Sequence, residues 1–164
     1  MNVGPVVINA GPLVALSMVG KLEVLAALYG RVLVPGAVVE EVVVAGAGRI
    51  GAQDVASADF LDRVVVEPPP EPLLAGELGS GEAEVIALAH RRGARVVILD
   101  ERRGRRIAEH AYQLHVRGTA GILVAAKRAG HLGLVRPLLE AMVQKGYFLS
   151  ARLVERACRE AGEG

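Results

Sequence analysis

The chain has 164 residues, of which 52% are hydrophobic, with two Phe, three Tyr, no Trp and one Cys. This length allows one hydrophobic core and is too short for two domains of ordinary size. The core must be built from Val, Leu, Ile and Ala, which suits a buried parallel sheet. The net charge of +1 excludes a global field that attracts nucleic acid, so any such attraction must be local.

The sequence also disfavours a membrane-spanning protein and a secreted protein. No apolar run approaches the roughly 18 residues that a membrane span needs, and the first basic residue is Lys21, so the charged start of a signal peptide is missing. The lone Cys158 forms no intramolecular disulfide and fits a reducing compartment. We therefore expect a soluble, cytoplasmic protein with no membrane partner.

The first half of the chain alternates short apolar strands with helices. Strands are predicted over 6–8, 32–34 and 63–66, and helices over 12–20, 21–28 and 52–61. The segment 38–50 fits either a strand or a helix that carries Glu40 and Glu41. The proline-rich stretch 68–72 is predicted to be a stiff, extended connector.

The stretch 81–106 organises the second half. It predicts a helix from Gly81, a turn at 92–94, an apolar strand over 96–99 and a further helix up to about residue 111. A brief strand over 114–116 and helices over 120–129, 135–145 and 150–161 complete the chain. Alternating strands and helices predict an open parallel α/β sheet, whose ligands gather beyond the carboxyl ends of the strands. Asn9, Asp100 and the segment after Pro35 should share that edge.

Acidic residues stand at two ends of these elements. Glu82 and Glu84 lie in a first helical turn behind Ser80, where acids complement the helix dipole or bind a ligand. They point about 200° apart, and Glu82 is our choice for the sheet edge. Asp100 is either a helix N-cap or a functional carboxylate. Glu101 is expected to pair with an arginine one turn later, Arg105.

Seven arginines surround these acids, and they form either a solvated surface or a set of phosphate contacts, which would indicate nucleic acid in general. They are Arg91, Arg92, Arg95, Arg102, Arg103, Arg105 and Arg106. The four histidines have no spacing suited to a zinc site and are expected at the surface.

A glycine pattern offers a competing hypothesis. Gly46, Gly48 and Gly51 follow the apolar run 42–44, and Glu67 comes later at about the distance of a ribose-binding acid, as in a dinucleotide fingerprint. The pattern begins past residue 40, behind a unit that already reads as strand and helix. The remaining chain is also short for a cofactor domain and a substrate domain.

Four segments together resemble the PIN-domain family, more narrowly its prokaryotic PIN-like branch related to VapC-type toxins. They are VVINAGPLVALSMVGKLEVL, VLVPGAVVEEV, GEAEVIALAHRRGARVVILDERRGRRIA and GTAGILVAAKRAG. The resemblance implies a single PIN-like domain over 1–164, with a central parallel sheet flanked by helices. It also implies Mg²⁺ or Mn²⁺ as cofactor and hydrolysis of RNA phosphodiesters. It makes 38–44 a helix and the glycine pattern a loop.

The resemblance also implies a site. The family's four acids fall on Asn9, on Glu41 with Glu40 as the alternative, on Glu82 and on Asp100. Carboxylates that converge repel one another and are tolerated when a divalent ion neutralises them. Asn9 departs from the family pattern, since an amide oxygen can bind a metal or orient water but carries no charge.

The resulting hypothesis is a metal-dependent ribonuclease acting on single-stranded RNA. Glu41, Glu82 and Asp100 hold the metal, and Asn9 positions water. Arg102, Arg103 and Arg105 are the favoured phosphate contacts, and the expected protein partners are an antitoxin and a second copy of the chain. The alternative is a catalytically weak or inactive PIN-like module that binds RNA or protein, because Asn9 replaces the first acid.

Overall fold

Five short parallel strands form one sheet in the computed structural model, which describes residues 3–164. They are β1 (Val6–Ile8), β2 (Val32–Pro35), β3 (Leu61–Val64), β4 (Val96–Ile98) and β5 (Val116–Arg117). The strand order is β3-β2-β1-β4-β5. Every residue of β1 and β4 is buried, as expected for a parallel sheet covered on both faces.

Helices cover the two faces of this sheet. They are α1 (Ala10–Met18), α2 (Val24–Tyr29), α3 (Gly36–Val39), α4 (Ala52–Ser57), α5 (Pro72–Glu77), α6 (Ser80–Arg92), α7 (Arg102–His110), α8 (Thr119–Arg128), α9 (Arg136–Gln144) and α10 (Ala151–Glu160). A π-helical segment, Glu40–Val44, continues α3. Helices α3 and α5 pack on α6, whereas α1, α2, α8, α9 and α10 pack on one another. The predicted α/β/α sandwich is confirmed.

The observed bounds differ from the prediction at several element ends. Strand β3 begins two residues before the predicted 63–66, and α4 ends at Ser57. The proline-rich connector leads into α5, a helix that the sequence pattern did not predict. Its first residue, Pro72, suits a first helical turn because no intrahelical N–H is needed there. None of the helices within residues 3–164 is long and apolar enough to cross a membrane.

The ambiguous segment after β2 is helical, as the family resemblance implies. Gly46 to Gly51 then lie in turns that follow this helix. A dinucleotide fingerprint needs a strand directly before its first glycine, so that the turn delivers backbone N–H groups to a phosphate. In the described chain a helix stands at that place, and the hypothesis that Gly46, Gly48 and Gly51 bind a dinucleotide is wrong for this reason.

The order of the strands fixes the place where a site can form. Strand β1 lies between β2, which follows it in the chain, and β4, which arrives much later. Ile8 pairs with Ile98 at the carboxyl ends of β1 and β4, and the N–H of Asn9 donates to the carbonyl of Ile98 at 3.0 Å. Asn9 and Asp100 therefore leave the sheet at its topological switch point, where open α/β sheets bind ligands.

Candidate active site

Asn9 and Glu41 meet at the first turn of α6. The Asn9 Oδ1 and Glu41 Oε1 atoms lie 3.5 Å and 3.3 Å from the point that a Cβ would occupy on Gly81. Because Gly81 has no side chain, both oxygens can approach the helix backbone closely. The carboxylate beside this point belongs to Glu41, which was preferred over Glu40.

Glu82 lies on the next residue of α6 and turns toward α7. A Cβ on Gly104 would lie 2.5 Å from Glu82 Oε2 and 3.5 Å from Glu101 Oε2, so glycine at this position leaves room for both carboxylates. A glycine inside a helix costs about 1 kcal/mol relative to alanine. Here the cost is offset by the close approach of Glu82 to the α7 backbone.

The electrostatics of Glu82 are unusual. Its Oε2 atom is buried and accepts no hydrogen bond from any residue in the range 3–164. Burial, followed by the neighbouring carboxylates of Glu101 and Glu41, raises the pKa of Glu82 to about 7. Glu101 has the opposite shift, because the N–H groups of Gly104 and Arg103 donate to its carboxylate and lower its pKa.

Asp100 is held at the end of β4 by donors from two other elements. The Thr119 N–H donates to Oδ1 at 2.8 Å, and the Thr119 hydroxyl donates to Oδ2 at 2.5 Å. The Tyr147 hydroxyl also donates to Oδ2. Burial and the charge of Asp100 raise the pKa of Tyr147 well above its usual range, so the phenol remains a donor.

A groove of about 1440 Å³ extends from Asn9, Asp100 and Glu101 along α7, α8 and α10. Its polar lining contains more cations than anions: the arginines are Arg102, Arg105, Arg106, Arg117, Arg128 and Arg156, and the carboxylates are Asp100, Glu101, Glu109 and Glu160. Val124, Leu153 and Phe148 add apolar surface. The end of the groove at Asp100 and Glu101 is acidic, and the rest of the groove suits a polyanion that also carries apolar groups.

A family model described as a PIN domain matches residues 5–163. The chain belongs to the PIN-domain family. Comparisons with curated proteins and with solved structures gave no match. PIN domains have a nuclease-type fold and generally use divalent metal ions.

The described residues of this PIN domain suit a divalent ion in their chemistry. Carboxylate and amide oxygens are the ligands that Mg²⁺ and Mn²⁺ prefer, and Glu82 Oε2 is a buried oxygen without a donor. Within residues 3–164, however, no three acidic, His or Cys side chains are grouped as a metal site. Glu41 and Glu82 lie near each other, whereas Asp100 is turned toward Thr119 and Tyr147.

The structure separates the two glutamates of the α6 first turn. Glu82 faces the acidic cluster, whereas Glu84 Oε1 accepts the N–H of Ala37 at 2.9 Å and caps α3. Opposite directions follow from their spacing on a helix, as predicted from the sequence.

At the start of α7, the N-cap alternative for Asp100 and the expected pair between Glu101 and Arg105 are both wrong. The N-cap of α7 is Glu101, whose side chain accepts from backbone N–H groups, so Asp100 does not cap this helix. The predicted pair between Glu101 and Arg105 does not form, because the cap draws Glu101 back over the first turn. Arg105 lies instead 3.9 Å from Glu109.

The arginines near the PIN-domain acids serve different purposes. Arg102 and Arg105 line the groove. Arg105 Nη1 and Asp100 Oδ1 lie 3.0 Å and 2.7 Å from the same point, the position that a Cβ would occupy on Gly118. Arg103 forms an ion pair with Glu77 outside the groove. Arg91 donates to the carbonyls of Pro68 and Pro69 and fixes the proline-rich segment.

Thr119, Tyr147 and Glu101 were missed as contributors to the site. Thr119 comes two residues after β5, the strand next to β4 in the sheet, and this position was the available signal. Glu101 adjoins Asp100 in the chain, so an acidic pair was visible. Tyr147 lies 47 residues from Asp100, and no local pattern connects them.

Proposed function

We propose that the protein is a ribonuclease that uses Mg²⁺ or Mn²⁺ to hydrolyse phosphodiester bonds of single-stranded RNA. The observation that carries the proposal is the buried, donor-free Oε2 of Glu82 beside the carboxylates of Glu101 and Glu41. Such a cluster of like charges is stabilised by a bound cation. Glu101 of this cluster also lines the arginine-rich groove, next to Asp100 and Asn9 at the switch point of the sheet.

In this proposal Glu41, Glu82 and Asp100 hold the ion, and Glu101 adds a fourth carboxylate beside Glu82. When bound, the ion polarises a phosphodiester and supplies a nucleophilic water at neutral pH. Thr119 and Tyr147 fix the orientation of the Asp100 carboxylate. Asn9 contributes its amide group to orient a water molecule.

The substrate is positioned by the basic side of the groove. Arg102 and Arg105 border the acidic end and are the proposed phosphate contacts, which supply affinity without sequence information. Arg103 is a weaker candidate than the sequence suggested, because Glu77 already neutralises it. A relation to VapC-type toxins, an antitoxin partner, a homodimer and a cytoplasmic location remain predictions.

A second candidate function is a PIN-like module that binds RNA or protein without efficient cleavage. Two features favour it. Asn9 supplies no charge where the family pattern has an acid, and the Asp100 carboxylate is already engaged by three donors from Thr119 and Tyr147. Binding of RNA without metal-dependent cleavage would support this candidate.

The test is cleavage of a fluorescent single-stranded RNA during titration with Mg²⁺ or Mn²⁺, with EDTA as the blank. Wild-type protein should cleave only with the metal, and Asp100→Asn should lower the rate by about 10²–10³-fold, as when one preorganised electrostatic group is removed.

The matched control is Asp54→Asn, which changes an exposed acid in the first turn of α4 and should cleave at the wild-type rate. Cleavage by the wild type in EDTA, or cleavage by Asp100→Asn at the wild-type rate, would refute the proposal.

A further inference from the structure

Phe148 is an aromatic side chain left almost fully in solvent. It is 87% exposed, more than any other large apolar residue in the described part of the chain, and it lines the arginine-rich groove. The chain has only two Phe residues, so this exposure leaves out of the core one of its few large aromatic groups. An exposed aromatic ring beside cations is the arrangement that single-stranded nucleic acid uses for stacking.

The backbone around Phe148 is fixed on both sides. The N–H of Tyr147 donates to the carbonyl of Met142 at 2.9 Å, and the Tyr147 hydroxyl donates to Asp100. Leu149 is only 7% exposed, and Ser150 caps α10 by accepting from the N–H of Leu153 at 3.1 Å. Phe148 therefore lies on a segment whose backbone is anchored. The residue before it, Tyr147, contacts Asp100 of the candidate active site.

Free cations lie along the same groove. Arg102 and Arg106 line it, and their guanidinium groups form no hydrogen bond or ion pair with any residue in the range 3–164. Across the groove, Arg156 bonds to Glu160 through Nε and keeps its remaining N–H groups available. A nucleic-acid strand that runs along this groove would meet guanidinium groups at its phosphates and the Phe148 ring at one of its bases.

We propose that Phe148 is a stacking platform for one unpaired base of an RNA strand whose backbone passes Asp100. The proposal rests on RNA being the partner in the proposed function. Stacking on a side chain needs a free base face, so an unpaired strand should bind more tightly than a duplex. Phe148 would then set which nucleotide position enters the site, whereas the arginines supply sequence-independent affinity.

The experiment measures RNA binding by fluorescence anisotropy in EDTA, so that binding is separated from cleavage. The probes are a short unpaired oligoribonucleotide, the same strand with abasic nucleotides, and its duplex. Phe148→Ala should weaken binding of the unpaired strand by about 5–150-fold, the range for loss of one stacked base. Phe148→Trp should restore it.

The matched control is Leu73→Ala, which removes a side chain that is 79% exposed and lies outside the groove. This variant should bind all three probes as the wild type does. The abasic strand should bind wild type and Phe148→Ala equally, because it has no base to stack. An equal loss with normal and abasic strands, equally tight binding of the duplex, or no binding of unpaired RNA would overturn the proposal.

The two proposals fail separately in these assays. Phe148-dependent binding with no cleavage under Mg²⁺ or Mn²⁺ would refute the nuclease and leave the stacking site intact. Cleavage that depends on Asp100, together with binding that ignores Phe148, would refute the stacking site alone.

Discussion

Glu82 combines three features that are costly for a carboxylate in the absence of a cation. Its Oε2 atom is buried, no donor from residues 3–164 reaches that atom, and the carboxylates of Glu41 and Glu101 are near. The raised pKa of about 7 is the consequence, since the neutral acid avoids both desolvation and repulsion. A residue kept under such conditions is better explained by ligand binding than by packing.

The substitution Glu82→Gln should stabilise the metal-free protein at pH 8. The wild-type carboxyl is ionised there, above its folded pKa of about 7, whereas the amide avoids the repulsion. Solvent screening reduces the gain, and we expect Tm to rise by about 2–4 °C. The difference should shrink as pH falls from 7 toward the ordinary carboxyl value of 4.5, because the wild-type group then becomes neutral.

Added Mn²⁺ should raise the Tm of the wild type and raise that of Glu82→Gln much less, since a ligand stabilises only the state that binds it. The control is Glu84→Gln, two residues along the same helix. It weakens the cap on Ala37 and should lower Tm while keeping the response to Mn²⁺. Equal Mn²⁺ responses in wild type and Glu82→Gln would contradict a metal at this cluster.

At the scale of elements, Glu163 near the end of the chain joins three helices. It accepts Lys127 Nζ of α8 at 2.8 Å and the N–H groups of Val135 and Arg136 at 2.7 and 2.9 Å, where α9 begins. These donors, with Lys127 first, lower the pKa of Glu163 to about 2. A residue just beyond α10 thus serves as the N-terminal cap of α9.

The substitution Glu163→Gln should lower Tm by about 2–4 °C at neutral pH, the usual effect of one lost cap in a chain of this size. Because the folded pKa is depressed, the stabilisation is complete above 4.5, the ordinary carboxyl value, and is lost as pH falls toward about 2. Thermal melts of both proteins between pH 7 and 2 should therefore converge at the acid end.

The matched control is Glu160→Gln in α10, which loses only an exposed pair with Arg156 and should shift Tm little at any pH. Melts of wild type and Glu163→Gln that stay equally far apart at every pH would argue against a charge-dependent cap.

Elements with uniform local signals were predictable from the sequence. The apolar runs that form β1, β2 and β4 were predicted as strands because Val, Ile and Leu on both faces suit a buried parallel sheet. Helix α5 was missed because the prolines at 68–70 and 72 suggest an extended chain, although Pro72 is also compatible with a first helical turn. The error at Glu101 has a similar origin, since a side chain near a helix start can either cap the backbone or pair with an arginine.

At the scale of the whole molecule, the candidate site depends on contacts between distant segments. The edge that carries Asn9 and Asp100 followed from the parallel α/β sheet that the sequence predicted. The donors that hold Asp100 did not, because Thr119 and Tyr147 come from segments 19 and 47 residues away. The groove is equally non-local, since its arginines come from α7, β5, α8 and α10.

The net charge of +1 means that RNA binding must arise from this local groove, and salt dependence can count its phosphate contacts. For single strands, the slope of log K against log salt is about −0.7 per neutralised phosphate. Arg106→Ala should make the measured slope less steep by about 0.7, because it removes one free groove cation. Arg106 is a cleaner choice than Arg103, which Glu77 already neutralises.

The control is Arg92→Ala at the end of α6, which removes an arginine that lies outside the groove and whose side chain likewise has no partner among residues 3–164. Both variants lower the net charge by one, so a general field effect would change both slopes alike. A slope that changes only in Arg106→Ala would assign the attraction to the groove. Identical slopes in the two variants would mean that RNA is held elsewhere, because removing a cation that neutralises a phosphate must reduce the number of counterions released on binding.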